Sequence, residues 1–171
     1  MASVLPAVAD VESRVLDDHH QALKIWLRML ACTTRVENVI RQRLRSEFGT
    51  TLPRFDLMAQ LDREPEGLSM GELSARMMVT GGNVTGIVDQ LEGEALVQRS
   101  EHPSDRRAYQ VRLTAAGRRQ FRRMAAVHEA WIVELFEGWS PAQKTQVHAL
   151  LATLKQHLAG IDTSTAPKGK R

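Results

Sequence analysis

The sequence predicts a mainly α-helical protein that contains one small β-hairpin. Apolar residues recur with a helical period over most of the chain, whereas the period shortens to about two residues in the stretch 96–113. Hydrophobic residues make up 43% of the 171 residues and charged residues 25%, so the chain can bury a substantial core. The elements that support this class follow in chain order.

The first predicted helix covers about residues 18–48. One broad side of the helix is mainly apolar and is formed by Leu23, Trp26, Leu27, Leu30, Thr34, Ile40 and Leu44. A helix of about 30 residues is long for a monomeric domain, so we expect it to span two subunits or to link two modules. Gly49 is expected to end it, and Pro53 to lie in the first turn of a second, shorter helix. The expected buried side of that helix is Phe55, Leu57, Met58 and Leu61.

Two short helices with a tight connection follow. Ser69 can cap a helix from about Met70 to Met77 while Glu72 reaches back to it, which is the pattern of a capping box. Thr80 is the N-cap candidate of the next helix. That helix has a buried stripe at helical spacing: Val84, Ile87, Val88 and Leu91. Two capped helices separated by three or four residues are typical of a helix-turn-helix.

The change of period after this pair predicts a β-hairpin. Its strands are expected at 96–99 and 109–113, joined by a long connection with turn-forming residues around Pro103. Because the connection also carries arginines, the hairpin is interpreted as a wing, which completes a winged helix-turn-helix.

Two helices follow the wing. Thr114 is expected to cap the first, which runs to about Gly138, and Ser140 with Pro141 opens the last. The last helix has its own apolar stripe: Val147, Leu150, Leu151, Leu154 and Leu158.

The outer face of the second short helix combines small and polar residues: Gly82, Asn83, Thr85, Gly86, Asp89 and Gln90. A recognition helix must lie close in the major groove of DNA, where Asn, Gln and Thr side chains hydrogen-bond base edges or phosphates. The helix start at Thr80 also offers free backbone N–H groups to a phosphate. The alternative is a solvated helix face. The two glycines at 81–82 argue against it, because glycine costs helix stability.

The wing tip is the second candidate contact with DNA. Asp105 precedes Arg107 by two positions and can hold its guanidinium ready for the minor groove, where negative potential concentrates, with Arg106 beside it. The alternative is a surface ion pair of little consequence. Between residues 99 and 123 there are eight arginines and two acids, although the whole chain carries only +3, so the local charge favours a polyanionic partner.

Residues 105–114, DRRAYQVRLT, resemble the D-x-R-x-x-x-V-x-L-T signature of the MarR family, and residues 71–97 are similar to that family's helix-turn-helix. His102 is a departure, since many members have Asp there. The resemblance implies a homodimeric winged helix-turn-helix regulator of double-stranded DNA with a pseudo-palindromic operator. It also implies a repressor that a small phenolic or aromatic acid releases, with a role in aromatic catabolism.

On this resemblance the chain divides into four regions. Residues 1–17 form an N-terminal extension, and residues 18–50 and 114–162 form a helical dimerisation region. Residues 51–113 form the winged helix-turn-helix DNA-binding domain, and residues 163–171 form a disordered basic tail.

The segment 24–61 is similar to the MarR branch exemplified by CouR and FerC, which respond to hydroxycinnamoyl-CoA thioesters. The candidates for an aromatic slot are Trp26, Met29, Phe55 and Met58. The candidates for contacts with the nucleotide phosphates are Lys24, Arg28 and Arg35, which lie within about 40° of one another on a helix. Two alternatives stay open: these cations are a solvated helix face, or a free phenolic carboxylate is held by Arg54 alone.

Several other classes of function are not expected. The sequence has no nucleophile elbow, phosphate loop or paired-carboxylate pattern, so neither an enzyme nor a cofactor is expected, and its histidines lack metal-ligand spacing. Cys32 is the single cysteine, which favours a cytoplasmic location, and a buried inert thiol is favoured over a redox sensor. For Trp26, Trp131 and Trp139 the dimer core is favoured over a ligand pocket. No apolar run is long enough for a membrane span.

The competing interpretation is a helical binding or scaffold protein whose basic stretch engages an acidic protein partner. A steep dependence of duplex affinity on salt concentration favours the DNA-binding interpretation over this one.

Overall fold

The structure is a computed structural model that describes residues 20–102 and 105–161, with residues 101–102 and 105–108 described by their backbone only. The predicted N-terminal extension and basic tail lie outside the described residues. In chain order the elements are α1 (Gln21–Phe48), α2 (Leu52–Asp62), β1 (Leu68–Ser69), α3 (Met70–Met77), α4 (Gly81–Gly93), β2 (Val97–His102), β3 (Asp105–Leu113), α5 (Ala115–Leu135) and α6 (Pro141–Ala159). The predicted class, mainly α with a small β-hairpin, is confirmed. The chain forms two compact units, residues 1–129 and 130–171, which are described separately.

Helices α1 and α2 begin the first unit. Gly49 ends α1 in the left-handed conformation, with φ 61°, and its N–H donates to carbonyl oxygens of the last turn. Pro53 lies in the first turn of α2, as predicted. All four predicted core residues of α2 are buried, namely Phe55, Leu57, Met58 and Leu61. In α1 only Ile40 and Leu44 are buried.

The prediction of a buried Cys32 is wrong for the single chain, because the thiol is exposed. The core of the first unit covers α1 only from Ile40 onward, and the described residues before Val36 are exposed or half-buried.

The helix-turn-helix has the predicted bounds and caps. Ser69 and Glu72 form the capping box of α3: the N–H of Glu72 donates to Ser69 Oγ over 3.2 Å, and the N–H of Ser69 donates to Glu72 Oε2 over 2.8 Å. Met78 ends α3 in the left-handed conformation, and the Ser74 hydroxyl donates to the Val79 carbonyl over 2.7 Å. Thr80 is the N-cap residue of α4, although its side chain makes no capping hydrogen bond.

The wing belongs to a three-stranded antiparallel sheet with the order β1-β3-β2. The prediction missed β1, a two-residue strand in which Leu68 pairs with Val111. It also made the wing strands too short. The ladder from Val97↔Leu113 continues beyond the predicted ends to His102↔Asp105, because backbone pairing does not require the apolar alternation on which the prediction relied.

Helices α5 and α6 complete the described chain. Thr114 caps α5 by accepting a hydrogen bond of 2.9 Å from the N–H of Gly117, and α5 ends at Leu135, earlier than predicted. In the second unit, Phe136 and Trp139 pack edge to face with ring centroids 5.4 Å apart. Helix α6 begins with the predicted Ser140–Pro141, and Ser140 forms a capping box with Gln143. None of its described residues is buried.

Candidate nucleic-acid interface

Helix α4 separates an apolar face from a polar one. Val84, Val88 and Leu91 are fully buried, and Ile87 is half-buried. Every polar or small residue predicted for the outer face is exposed: Gly82, Asn83, Thr85, Gly86, Asp89 and Gln90. The core therefore holds α4 by one stripe and leaves a shallow polar surface on the other side.

The glycines of that surface have no role in internal packing. A Cβ atom added at Gly82 or Gly86 would meet no heavy atom within 4 Å. Since glycine in a helix costs about 1 kcal/mol relative to alanine, both positions lose stability without any gain inside the chain. These positions therefore leave room for a close approach by an external surface, such as the floor of a DNA groove.

We expect Gly86→Ala to raise the free energy of unfolding by up to about 1 kcal/mol and to weaken duplex binding. The added methyl group improves the helix but stands where the backbone approaches the groove. Urea unfolding and fluorescence anisotropy with labelled duplex measure the two effects. Gly93→Ala, at the last residue of α4, is the matched control and should leave binding unchanged. Tighter duplex binding by Gly86→Ala would rule out a close approach at this position.

A cleft of about 580 Å³ borders the outer face of α4. Three cations line it, Arg41 and Arg45 from the end of α1 and Arg54 from α2, together with Asn83 and Gln90. All of the lining residues are described, and no carboxylate is among them. Arg41 also pairs with Glu37 over 2.8 Å, so the positive charge that the cleft presents beside the predicted recognition surface is partly offset. Sequence analysis missed Arg41 and Arg45, although their spacing of four residues places them on one helix face.

Arg54 is partly committed within the chain. Its guanidinium pairs with Glu94, its side chain is only 14% exposed, and its Nε has no hydrogen-bond partner among the described residues. The predicted carboxylate contact at Arg54 would therefore have to share or displace Glu94.

The predicted contacts at the wing tip lie outside the described side chains. The backbone places Asp105, Arg106 and Arg107 at the start of β3. At the base of the wing, Arg99 pairs with Asp89 and Glu92 of α4, a network that sequence analysis did not anticipate.

A second cleft, of about 510 Å³, lies among α1, α2, α3 and His128 of α5. The rings of Phe55 and His128 line it, with centroids 4.8 Å apart. Burial raises the pKa of Asp56 in this cleft to about 6; the nearby charge of Glu37 adds to the rise, and Arg41 opposes it. Arg63 and Arg76 also line the cleft, and burial lowers the pKa of His128. Asp56 carried no signal in the sequence because its shift depends on neighbours from other helices.

We expect Asp56→Asn to stabilise the protein above about pH 6 and to change little near pH 4. A raised pKa means that the folded state holds the Asp56 proton more tightly than the unfolded state. That stabilising contribution is therefore complete at low pH and is lost as the pH rises from about 4 through about 6. Urea unfolding of both proteins across this range measures the difference. An equal gain at both ends of the range would show that Asp56 does not titrate with a raised pKa.

The predicted effector residues are only partly brought together. Met58 is 1% exposed and lies in the core, whereas Trp26 is 56% exposed on α1. Phe55 lines the second cleft and Arg54 the first. The other candidates lie along α1, where Lys24 and Met29 are half-buried and Arg28 and Arg35 are exposed. Their joint role stays a prediction.

Two further searches concern the described residues. In the ranges 20–102 and 105–161 there is no group of three or more His, Cys, Asp or Glu residues that could hold a metal ion. None of the described helices combines the length and the apolar character needed to cross a membrane.

Comparison with known proteins identifies the family. The model of the MarR family matches residues 50–109. The crystal structure of a MarR family transcriptional regulator from Silicibacter pomeroyi is 31% identical and covers 83% of this chain and 99% of that one, with a TM-score of 0.71. The HTH-type transcriptional repressor YetL of Bacillus subtilis is 25% identical over 139 residues, which are 81% of this chain and 83% of YetL.

A further solved structure extends the likeness of the fold. Sco3205 of Streptomyces coelicolor, a MarR family transcriptional regulator solved in complex with DNA, is 23% identical with a TM-score of 0.71, over 84% of this chain and 93% of that one. These relatives are regulators rather than enzymes, as expected here. The sequence signature, the helix-turn-helix, the wing and the relatives all support one assignment. The chain belongs to the MarR family of DNA-binding winged helix-turn-helix transcriptional regulators.

Proposed function

We propose that this protein is a repressor that binds a pseudo-palindromic operator as a homodimer and leaves it when an aromatic effector binds. The observation that carries the DNA-binding part is the outer face of α4, where exposed Asn83, Thr85 and Gln90 stand beside glycines with open space above them. These side chains are suited to hydrogen bonds with base edges, and the small residues to a close approach. The proposal that the protein represses transcription is supported by its similarity to YetL, which is named a transcriptional repressor.

A second copy of the chain is the proposed partner of two apolar surfaces. On α6, Leu150, Leu151, Leu154 and Leu158 are 37–62% exposed, and on α1, Leu23, Ile25, Trp26 and Leu30 are 43–56% exposed. Runs of exposed large apolar residues on single helices mark interaction surfaces. A twofold dimer would place two recognition helices on half-sites about 10–10.5 base pairs apart.

Arg107 is the proposed minor-groove contact, oriented by Asp105, with Arg106 beside it. We expect Arg107→Ala to weaken operator binding by about 5- to 150-fold, the effect of losing one good contact of 1–3 kcal/mol, without changing dimerisation. Asn83→Ala and Thr85→Ala should instead change sequence preference. Anisotropy titrations with a duplex selected by the unmodified protein measure both effects. If Arg107→Ala binds that duplex as well as the unmodified protein does, the wing contact is refuted.

The proposed effector is an aromatic acid or an aromatic acyl-CoA thioester. The cleft around Arg54 supports a small carboxylate because three arginines line it, although Glu37 and Glu94 already pair with Arg41 and Arg54. Lys24, Arg28 and Arg35 on α1 would instead serve the phosphates of a thioester. The relatives described above do not support the branch of CouR and FerC, so the thioester rests on the α1 residues alone.

Calorimetry with p-coumaroyl-CoA, CoA and p-coumarate, paired with release of bound duplex, separates these effectors. If the effector is a thioester, p-coumaroyl-CoA should bind more tightly than either CoA or p-coumarate. It should also release the bound duplex at a lower concentration than either of them. Binding and release by p-coumarate alone would select the simpler aromatic-acid sensor. If none of the three binds, p-coumarate and its thioester are ruled out as effectors, while the DNA-binding part of the proposal is untouched.

A further inference from the structure

Arg99 joins the first strand of the wing to the recognition helix at three points. Its guanidinium pairs with Asp89 through one nitrogen and with Glu92 through the other. Its backbone N–H donates to Glu92 Oε1 over 3.1 Å. In the described sheet β2 is an edge strand, so Glu92 satisfies a backbone donor that β3 cannot reach. The Arg99 side chain is 26% exposed and lies between β2 and α4.

Asp89 occupies an unexpected position for a carboxylate. It lies three residues after Gly86 and seven after Gly82, on the same stripe of the outer face, and its side chain is 57% exposed. An acid on a surface that approaches phosphates is repelled by them. The hydrogen bond that Arg99 donates to Asp89 is the main cause that raises the pKa of Arg99, so the guanidinium stays charged beside it.

We propose that Arg99 is a positioning residue for DNA binding: it neutralises Asp89 and Glu92 on the recognition helix and fixes the base of the wing against that helix. The proposal rests on the DNA-binding mode proposed above. Arg99 itself need not touch DNA. Its removal would leave two uncompensated carboxylates near the phosphates and would release β2 from α4.

A purely structural ion pair would behave differently. Its loss would lower the stability of the fold and reduce duplex affinity by a factor that does not depend on salt. Repulsion between uncompensated acids and phosphates is instead screened by salt, since the Debye length falls from about 10 Å at 0.1 M to about 3 Å at 1 M. Removing the Asp89 carboxylate should also reverse part of the defect, whereas a purely structural defect would persist in full.

The experiment uses the full chain and a duplex of about 30 base pairs selected from a random library with the unmodified protein, long enough for two half-sites. The variants are Arg99→Gln, Arg99→Lys, Asp89→Asn and the double variant Asp89→Asn/Arg99→Gln. Anisotropy titrations at low and high salt give the affinities. Thermal unfolding and sedimentation report on the fold and the dimer.

We expect Arg99→Gln to weaken binding by at least about 10-fold at low salt, because like charges facing each other are strongly unfavourable. The deficit should shrink at high salt, and the double variant should recover part of the lost affinity, because Asp89 is then neutral while Glu92 stays uncompensated. The duplex affinity of Arg99→Lys should lie between those of the unmodified protein and Arg99→Gln. A lysine keeps the positive charge but cannot bridge both carboxylates as the guanidinium does.

Three results would overturn the proposal: unchanged affinity in Arg99→Gln, a deficit that salt does not reduce, or a double variant as weak as Arg99→Gln. Failure of the unmodified protein to select any duplex would instead refute the proposed DNA-binding mode itself. The two failures are therefore distinguishable.

Discussion

Leu154→Asp is expected to convert the protein from a dimer to monomers or aggregates and to abolish tight operator binding. Leu154 lies on a helix with no buried residue, and its side chain is 37% exposed in the single chain. If a second copy covers the exposed part of Leu154, roughly a third of the 1.5–3 kcal/mol for burying a whole leucine is gained, and a twofold interface counts this twice. An aspartate there adds the cost of burying a charge.

Analytical ultracentrifugation measures the assembly state, and Gln156→Asp is the matched control. Gln156 is exposed on the same helix and lies off the leucine stripe, so its variant should remain dimeric. If Leu154→Asp also stays dimeric at micromolar concentration, α6 does not form the interface. The proposed surface on α1 would then have to carry the dimer alone.

Gly117→Ala is expected to be the most destabilising single methyl addition in the first unit. A Cβ at this position would lie 1.9 Å from the carbonyl oxygen and 2.8 Å from the carbonyl carbon of Leu96. Both are backbone atoms that side-chain rotation cannot move. The same carbonyl accepts the N–H of Thr114 over 3.0 Å, at the joint between the wing and α5.

We expect Gly117→Ala to lower the free energy of unfolding by about 3 kcal/mol or more, the upper end of the range for overpacking. The backbone at the joint between the wing and α5 must shift to make room for the methyl group. Urea unfolding measures it. Gly71→Ala in α3, where an added Cβ meets nothing within 4 Å, is the control and should not destabilise. Equal stability of Gly117→Ala and the unmodified protein would mean that α5 does not pack on Leu96 as described.

Sequence analysis succeeded where the signal was local. Capping residues such as Ser69 and Ser140, together with the helix-ending Gly49, defined helix boundaries that the structure confirms. The buried stripe of α4 and the four core residues of α2 followed from periodicity. Each of these features depends on residues a few positions apart.

Sequence analysis failed for features that depend on contacts with other elements of the fold. β1 forms only because Leu68 meets Val111, and Asp56 acquires its raised pKa from burial and Glu37. Arg99 finds partners seven and ten residues away across a turn. Cys32 was predicted to be buried because its neighbours are apolar, yet no part of the first unit covers it.

The central claim is that two copies of α4 read the major groove while the wings lie in the minor groove. Dimethyl sulfate protection of the selected duplex tests it directly, since the reagent methylates guanine N7 in the major groove and adenine N3 in the minor groove. We expect two tracts of protected guanine N7 about one helical turn apart, flanked by protected adenine N3. A bound duplex with unprotected guanine N7, or with one protected tract per complex, would contradict this account.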